Sequence, residues 1–170
     1  AVGLDNNHST LPLGWECTEI GANANNEYRA DYGSLAGGDL YSYGHETGVD
    51  SVDRALGSVG SGSNYNLHYG VSFVNASPDT IHSFSLTYTG ELWRVGNAER
   101  ATANDTLHFY YMVNADSINH PSFTAFSGLS FVSPANPGDP RNQEEVDGND
   151  PAQQVLIEQT IDVTVAPNDT

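Results

Sequence analysis

Apolar residues recur at every second position along much of this chain, and that period decides the fold class. Val155, Ile157, Ile161, Val163 and Val165 alternate with Glu158, Thr160, Asp162 and Thr164. Leu67, Tyr69, Val71 and Phe73 alternate with His68, Gly70 and Ser72, and Phe84, Leu86 and Tyr88 with Ser83, Ser85, Thr87 and Thr89. Leu107, Phe109, Tyr111 and Val113 alternate with His108, Tyr110 and Met112. Successive side chains of a strand point to opposite faces, so each run predicts one buried face and one wet face, as antiparallel sheets show. Shorter strands are expected over 40–43, 54–59, 92–95 and 129–132. Helix signals are nearly absent, and Gly, Asn, Pro and Ser clusters cut the strands apart. The expectation is an all-β chain, an antiparallel β-sandwich of about eight strands arranged as a jelly roll.

A chain of 170 residues fits one sandwich domain over 1–170. Within it, 1–10 reads as an N-terminal arm, 21–38 as a long loop or edge segment, and 134–151 as an acidic surface loop. The hydrophobic share of 38%, with 10% aromatic, is enough to fill a core. A lone Cys17 excludes a disulfide framework within the chain. Twenty-two acids stand against five arginines and no lysine, a net charge of −17, which argues against nucleic-acid binding through a basic face. No run of 18 apolar residues offers insertion into a membrane. Carboxylates hold water and counter-ions while salt screens their repulsion, so this balance points to a secreted, extracellular protein of a marine or halophilic bacterium. Ala1 at the start, with no signal peptide, reads as a processed chain or a piece of a longer one. Asn7, Asn75, Asn104 and Asn168 stand in N-x-S/T sequons, at a frequency that chance explains.

The chemistry-bearing motifs are missing. There is no G-x-S-x-G, P-loop, H-E-x-x-H or G-x-G-x-x-G unit, and the six histidines are scattered. The chain is therefore read as a non-enzyme. A hydrolase would need a cleft with two convergent carboxylates, at least one of perturbed pKa. Between Asp139 and Asp150 five carboxylates fall within twelve residues. Asp139, Glu145, Asp147, Asn149 and Asp150 are the candidate ligands of a structural Ca2+, because calcium takes six to eight oxygens; the alternative is an Asp-Gly turn in a solvated loop. His45 and Glu46 with Asp50 and Asp53 form a weaker second cluster. His68, His108 and Tyr110 fall on the outward phase of their strands and would make a polar-aromatic patch if those strands are neighbours. Trp93, between Gly90 and Gly96, is the fourth candidate for ligand contact, while Trp15 is read as a core or hinge anchor. Arg54, Arg94 and Arg100 are expected to pair with carboxylates or stack on rings.

The order of segments resembles an all-β accessory module of secreted bacterial proteins, including those with extracellular nuclease domains of the endonuclease/exonuclease/phosphatase type. The matching pieces are Leu11-Pro12-Leu13-Gly14-Trp15, Gly21-Ala22-Asn23-Ala24-Asn25, Asp39-Leu40-Tyr41-Ser42-Tyr43-Gly44 and Asp53-Arg54-Ala55-Leu56-Gly57, with Ser61-Gly62-Ser63 close behind. Then come Tyr88-Thr89-Gly90-Glu91-Leu92-Trp93-Arg94-Val95-Gly96-Asn97 and Val146-Asp147-Gly148-Asn149. The resemblance implies a module without chemistry of its own, and one further Trp-containing strand after the position of Thr170, so that the sandwich here would lack its last strand. A sheet left open in this way exposes unpaired backbone groups that a neighbouring chain can fill. The function expected is therefore binding of a polysaccharide or matrix glycan by a secreted, non-catalytic module. The alternative is a structural subunit of an extracellular filament or surface layer, joined to copies of itself by strand addition.

Overall fold

The computed structural model describes residues 7–45, 52–97, 104–135, 139 and 141–170. Its twelve strands are β1 (Asn7–His8), β2 (Trp15–Gly21), β3 (Tyr28–Asp31), β4 (Asp39–Tyr43), β5 (Ala55–Val59), β6 (Asn64–Val71), β7 (Ile81–Glu91), β8 (Thr106–Leu107), β9 (Tyr110–Tyr111), β10 (Thr124–Ala125), β11 (Phe131–Val132) and β12 (Gln154–Val165). The helical pieces among the described residues are two short 3-10 turns, Ser127–Leu129 and Pro151–Gln153. The chain is all-β. One four-stranded sheet runs β1-β3-β4-β5, and four two-stranded ladders pair β2 with β6, β7 with β12, β8 with β11 and β9 with β10, without closing into a barrel.

Four expectations are corrected. The strand expected over 107–113 is broken at its centre. Phe109 donates its N–H to Ser130 Oγ at 3.1 Å and accepts from the Phe126 N–H at 3.0 Å, so β8 and β9 turn to different partners, β11 and β10. The segment 92–95 is not a strand but a bridge: Val95 N–H reaches Glu144 O at 2.9 Å and Val146 N–H reaches Trp93 O at 3.0 Å, around the Arg94–Glu145 pair. The stretch expected as an acidic surface loop is thereby stitched to the body of the protein at 143–146. At the other end, β1 ladders with β3, so this part of the expected arm belongs to a sheet; residues 1–6 of the arm lie outside the described residues.

Pairing is antiparallel in every ladder except β3 with β4, which is parallel. Parallel neighbours ordinarily need a crossover of a dozen or more residues, yet only 32–38 connects these two. Asp31, 1% exposed, organises the return. Its carboxylate accepts the N–H of Gly33 at 2.8 Å, the hydroxyl of Ser34 at 2.8 Å and the N–H of Leu35 at 3.1 Å. Gly33 adopts φ +97, and a Cβ there would run into the carbonyl of Trp93, so only glycine fits. Arg94 completes the knot by donating to the carbonyls of Gly33 at 2.8 Å, Ser34 at 3.1 Å and Gln143. Arg54 likewise binds Ser42, through Oγ at 2.9 Å and through the carbonyl. These guanidiniums bind backbone carbonyls rather than the expected carboxylates or rings; Arg100 lies outside the described residues.

Two buried clusters meet at 92–95. Leu92 and Val95 pack with Leu129, Phe131, Ile157 and Ile161 beneath the β7–β12 ribbon. Between them, Trp93 points the other way and joins Tyr41 and Tyr43. The rings form a column: Tyr41 to Tyr43 at 5.2 Å, Tyr43 to Trp93 at 6.0 Å and nearly parallel, and His45 edge-on to Trp93 at 5.6 Å. The Trp93 indole donates to Glu91 at 2.8 Å, and Gly148 lies so close beneath it that any Cβ would overlap the ring. Gly90 in turn makes room for the ring of Phe131. Trp93→Ala is expected to lower the unfolding free energy by about 3–5 kcal/mol, whereas Leu13→Ala at a fully exposed position is expected to change it by no more than about 0.5 kcal/mol. Urea titration of both variants, followed by circular dichroism, checks the contrast.

Candidate functional site

The described surface carries an open groove of about 580 Å³ lined by Ser9, Thr10, Leu11, Trp15, Glu16, Cys17 and Asn26. Its geometry follows from local sequence. In Pro12-Leu13-Gly14-Trp15 the Trp15 N–H bonds Pro12 O at 3.0 Å, and Gly14 takes φ +84, the positive φ that such a turn needs at its third residue. Gly14 O accepts from the Ser72 N–H at 2.9 Å, which pins the turn to the residue after β6. Trp15 therefore opens β2 at a fixed place, opposite Val71, with its side chain 37% exposed. The facing wall comes from Asn26, held at φ 56 by its own amide: Oδ1 accepts the Glu19 N–H at 2.9 Å. Tyr28, on β3, donates its hydroxyl to Thr10 O at 3.0 Å and so fastens the third wall. The result is an aromatic face beside one carboxylate, one amide and two hydroxyls. An aromatic face can stack on the C–H face of a sugar ring, and the amide, carboxylate and hydroxyls can hydrogen-bond its hydroxyls.

Cys17 brings no nucleophile to the groove. Burial first, and the Glu19 charge second, push its thiol up, so it stays protonated at neutral pH. Its sulfur lies 3.6 Å from Asn26 O as a weak donor.

The residues singled out from sequence are not gathered at this groove. His68 lies on β6 opposite Thr18, and its Nδ1 is 2.9 Å from Asn119 Oδ1. Tyr110 lies on β9, 51% exposed, and His108 stands in the break between β8 and β9. These belong to separate ladders, so the expected shared patch is not one sheet face. Trp93 is 2% exposed and enclosed by Tyr43 and Gly148, which leaves it no face for a ligand. Sequence reasoning missed Trp15, Glu16 and Asn26; the signal was the Pro-Leu-Gly turn directly before Trp15. Among the sequons, Asn75 is 5% exposed, and its Nδ2 donates to Asp79 O and Val165 O, so it is a structural amide.

Of the proposed calcium ligands, Asp147, Asn149 and Asp150 share one turn, while Asp139 and Glu145 are engaged elsewhere. Asp139 is held by Arg141 through paired contacts of 2.6 and 2.9 Å, which lower its carboxyl to about 2. Glu145 sits in the bridge opposite Arg94. Asp147 bonds His45 at 2.9 Å, and that contact holds its carboxyl below the ordinary range. Asp150 caps the 3-10 turn by accepting from the Ala152 N–H at 2.9 Å. The Asn149 amide is buried without a hydrogen-bond partner among the described residues, a single neutral oxygen where calcium wants six to eight. No three His, Cys, Asp or Glu side chains among the described residues are placed to hold a metal ion. Of the second cluster, Glu46 and Asp50 lie outside the described residues.

Two carboxylates do converge elsewhere. Glu19 and Asp39 meet between β2 and β4, and Asp39 is pushed up to about 6, by burial first and then by its hydrogen bond to Glu19. Glu19 is 6% exposed and uses both oxygens on backbone N–H groups, so the pair presents no open oxygen to the groove.

Millimolar calcium is expected to leave the melting temperature within about 2 °C of its value in chelator, a shift that corresponds to no more than about 1 kcal/mol in a chain of this size; differential scanning calorimetry in both buffers decides it. Comparison with known protein families, with curated proteins and with solved structures gives no match for this chain.

Proposed function

We propose that the chain is a secreted, non-catalytic β-sandwich module, of jelly-roll type, that binds a neutral polysaccharide in the Trp15 groove. The observation that carries the reading is the partly exposed Trp15 indole, fixed by a glycine turn, beside Glu16, Asn26, Ser9 and Thr10. Aromatic faces stack on the C–H faces of sugars, and amides and carboxylates fix their hydroxyls. The net charge of −17 favours a neutral chain over a sulfated or uronic one, because like charges repel at long range. The same charge supports an extracellular, salty setting. The motifs shared with accessory modules of secreted bacterial proteins fit this reading, since Gly14, Gly90, Trp93, Arg94 and Gly148 each have a packing role.

A second reading is favoured by a separate observation. β7 and β12, of 11 and 12 residues, form a ladder of two strands only, with no further strand on either edge among the described residues. Long unpaired edges accept added strands, which is the joint a filament subunit would use.

Affinity electrophoresis at pH 5 and at pH 7.5 in laminarin, xylan and agarose tests the first reading. Retardation by at least one is expected, with Trp15→Ala weakening it at least about tenfold, or about 1.4 kcal/mol, and leaving the circular dichroism unchanged. Equal mobility with and without all three polymers overturns it. Light scattering on a sizing column separates the second: a particle near 18.2 kDa is expected for the binding module, and long polymers would make strand addition the function.

A further inference from the structure

The groove wall hangs on the acid pair behind it. Glu19 Oε2 accepts the Asn25 N–H at 2.9 Å, and Oε1 accepts the Leu40 N–H at 3.0 Å. The same Leu40 N–H lies 2.9 Å from Asp39 Oδ1, so two carboxylate oxygens converge on one donor. With both groups ionised they repel at short range; with one proton between them they form a charge-assisted hydrogen bond. Asn25 also closes its own turn by accepting the Glu27 N–H at 2.8 Å. Asn26, next in the chain, gives Oδ1 to the Glu19 N–H at 2.9 Å and lines the groove. The 25–27 turn is thus fastened to β2 through Glu19 on both its side chain and its backbone.

The surroundings do not cancel this coupling. Arg29, on β3, attracts the Asp39 charge and opposes the proton, but burial and Glu19 outweigh it. On β4, the Tyr41 hydroxyl is pushed up to about 12, by burial first and Asp39 second, and remains neutral. On β2 the Cys17 thiol is neutral as well, and on β6 the residue opposite Glu19 is Leu67, with Tyr69 opposite Cys17. β5, Ala55–Val59, carries no titratable side chain.

Resting on the glycan-binding reading of the groove, we propose that Glu19 and Asp39 form a proton-operated latch on it. Sharing one proton, the pair holds the 25–27 turn and keeps Asn26 in the wall. When that proton passes to water, the two carboxylates repel, the turn loosens and the ligand is released. Because Asp39 is raised from its ordinary 3.8 to about 6, the pair's contribution is complete below about 3.8 and is lost as pH rises through about 6. The groove therefore holds its ligand in acid and lets go toward neutral pH.

Amide hydrogen exchange without ligand reads the latch directly. Protection factors of Asn25, Asn26 and Glu27 are expected to fall at least about tenfold between pH 5 and 7.5 in the native chain. In Asp39→Asn, whose amide donates to Glu19 without titrating, they are expected to stay level. Glu19→Gln, which removes one charge and keeps an acceptor, gives the same level profile if Asp39→Asn fails to fold. A flat profile in the native chain, or an equal fall in the variants, overturns the proposal. Affinity for laminarin, xylan and agarose at the two pH values is measured beside it, and for whichever polymer binds it is expected to fall in the native chain alone. Absence of binding to all three at both pH values counts against the glycan reading, while the exchange profile judges the latch on its own.

Discussion

Everything in this fold depends on how the indole of Trp93 is packed. Tyr43 covers one side of the ring, Gly148 approaches it closely and Glu91 takes its N–H. Its neighbours Leu92 and Val95 face the other hydrophobic cluster, so four consecutive residues key two cores together. The backbone of the same residues binds 143–146 and crowds Gly33. Burial of a Trp without an N–H partner would leave an unsatisfied donor, and Glu91 is placed two residues earlier to prevent that. Burial pushes the Glu91 carboxyl up, while its bond to Trp93 draws it back.

Strands with clean alternation were legible in the sequence. β7 and β12 lie where the period of two places them, and the ladder buries most of the expected face: Ile157 and Ile161 are enclosed, with Leu86 and Tyr88 packed alongside, while Phe84 is 37% exposed and Ser83, Ser85, Thr87 and Thr89 stay wet. β2 and β3 were not legible, because each buries a charged residue. Glu19 and Asp31 are 6% and 1% exposed and would normally mark an outward position. Their carboxylates are satisfied by backbone N–H groups of loops, a pairing that no local pattern reveals. β8 and β9 depart from the sequence for a different reason: Ser130 and backbone partners interrupt at Phe109 an alternation that would otherwise have run on.

The candidate site was harder to foresee. Exposure of an aromatic ring is decided by what packs on it, and the two tryptophans exchange the roles their neighbours suggest. Gly148, much later in the chain, leaves room for the Trp93 ring in a crowded interior, whereas the glycine before Trp15 turns the chain so that the ring stands at an open rim. The acidic stretch near 147 was visible as composition only. The hydrogen bond from His45 to Asp147 joins residues 102 apart in the chain and ties that stretch to the aromatic column.

The short parallel crossover between β3 and β4 has a kinetic consequence. Its turn is held by Asp31 from within, but the clamp comes from Arg94 and the Trp93 backbone, about sixty residues later, and through Gln143 from later still. Contacts of such sequence separation form late, because the loop-closure entropy precedes their reward. The β7–β12 ladder joins residues at least as far apart, so it and the Arg94 clamp are both late contacts, and weakening the clamp accelerates unfolding more than it slows folding. Contacts of this kind weigh on the lifetime of the native state more than on the speed of reaching it.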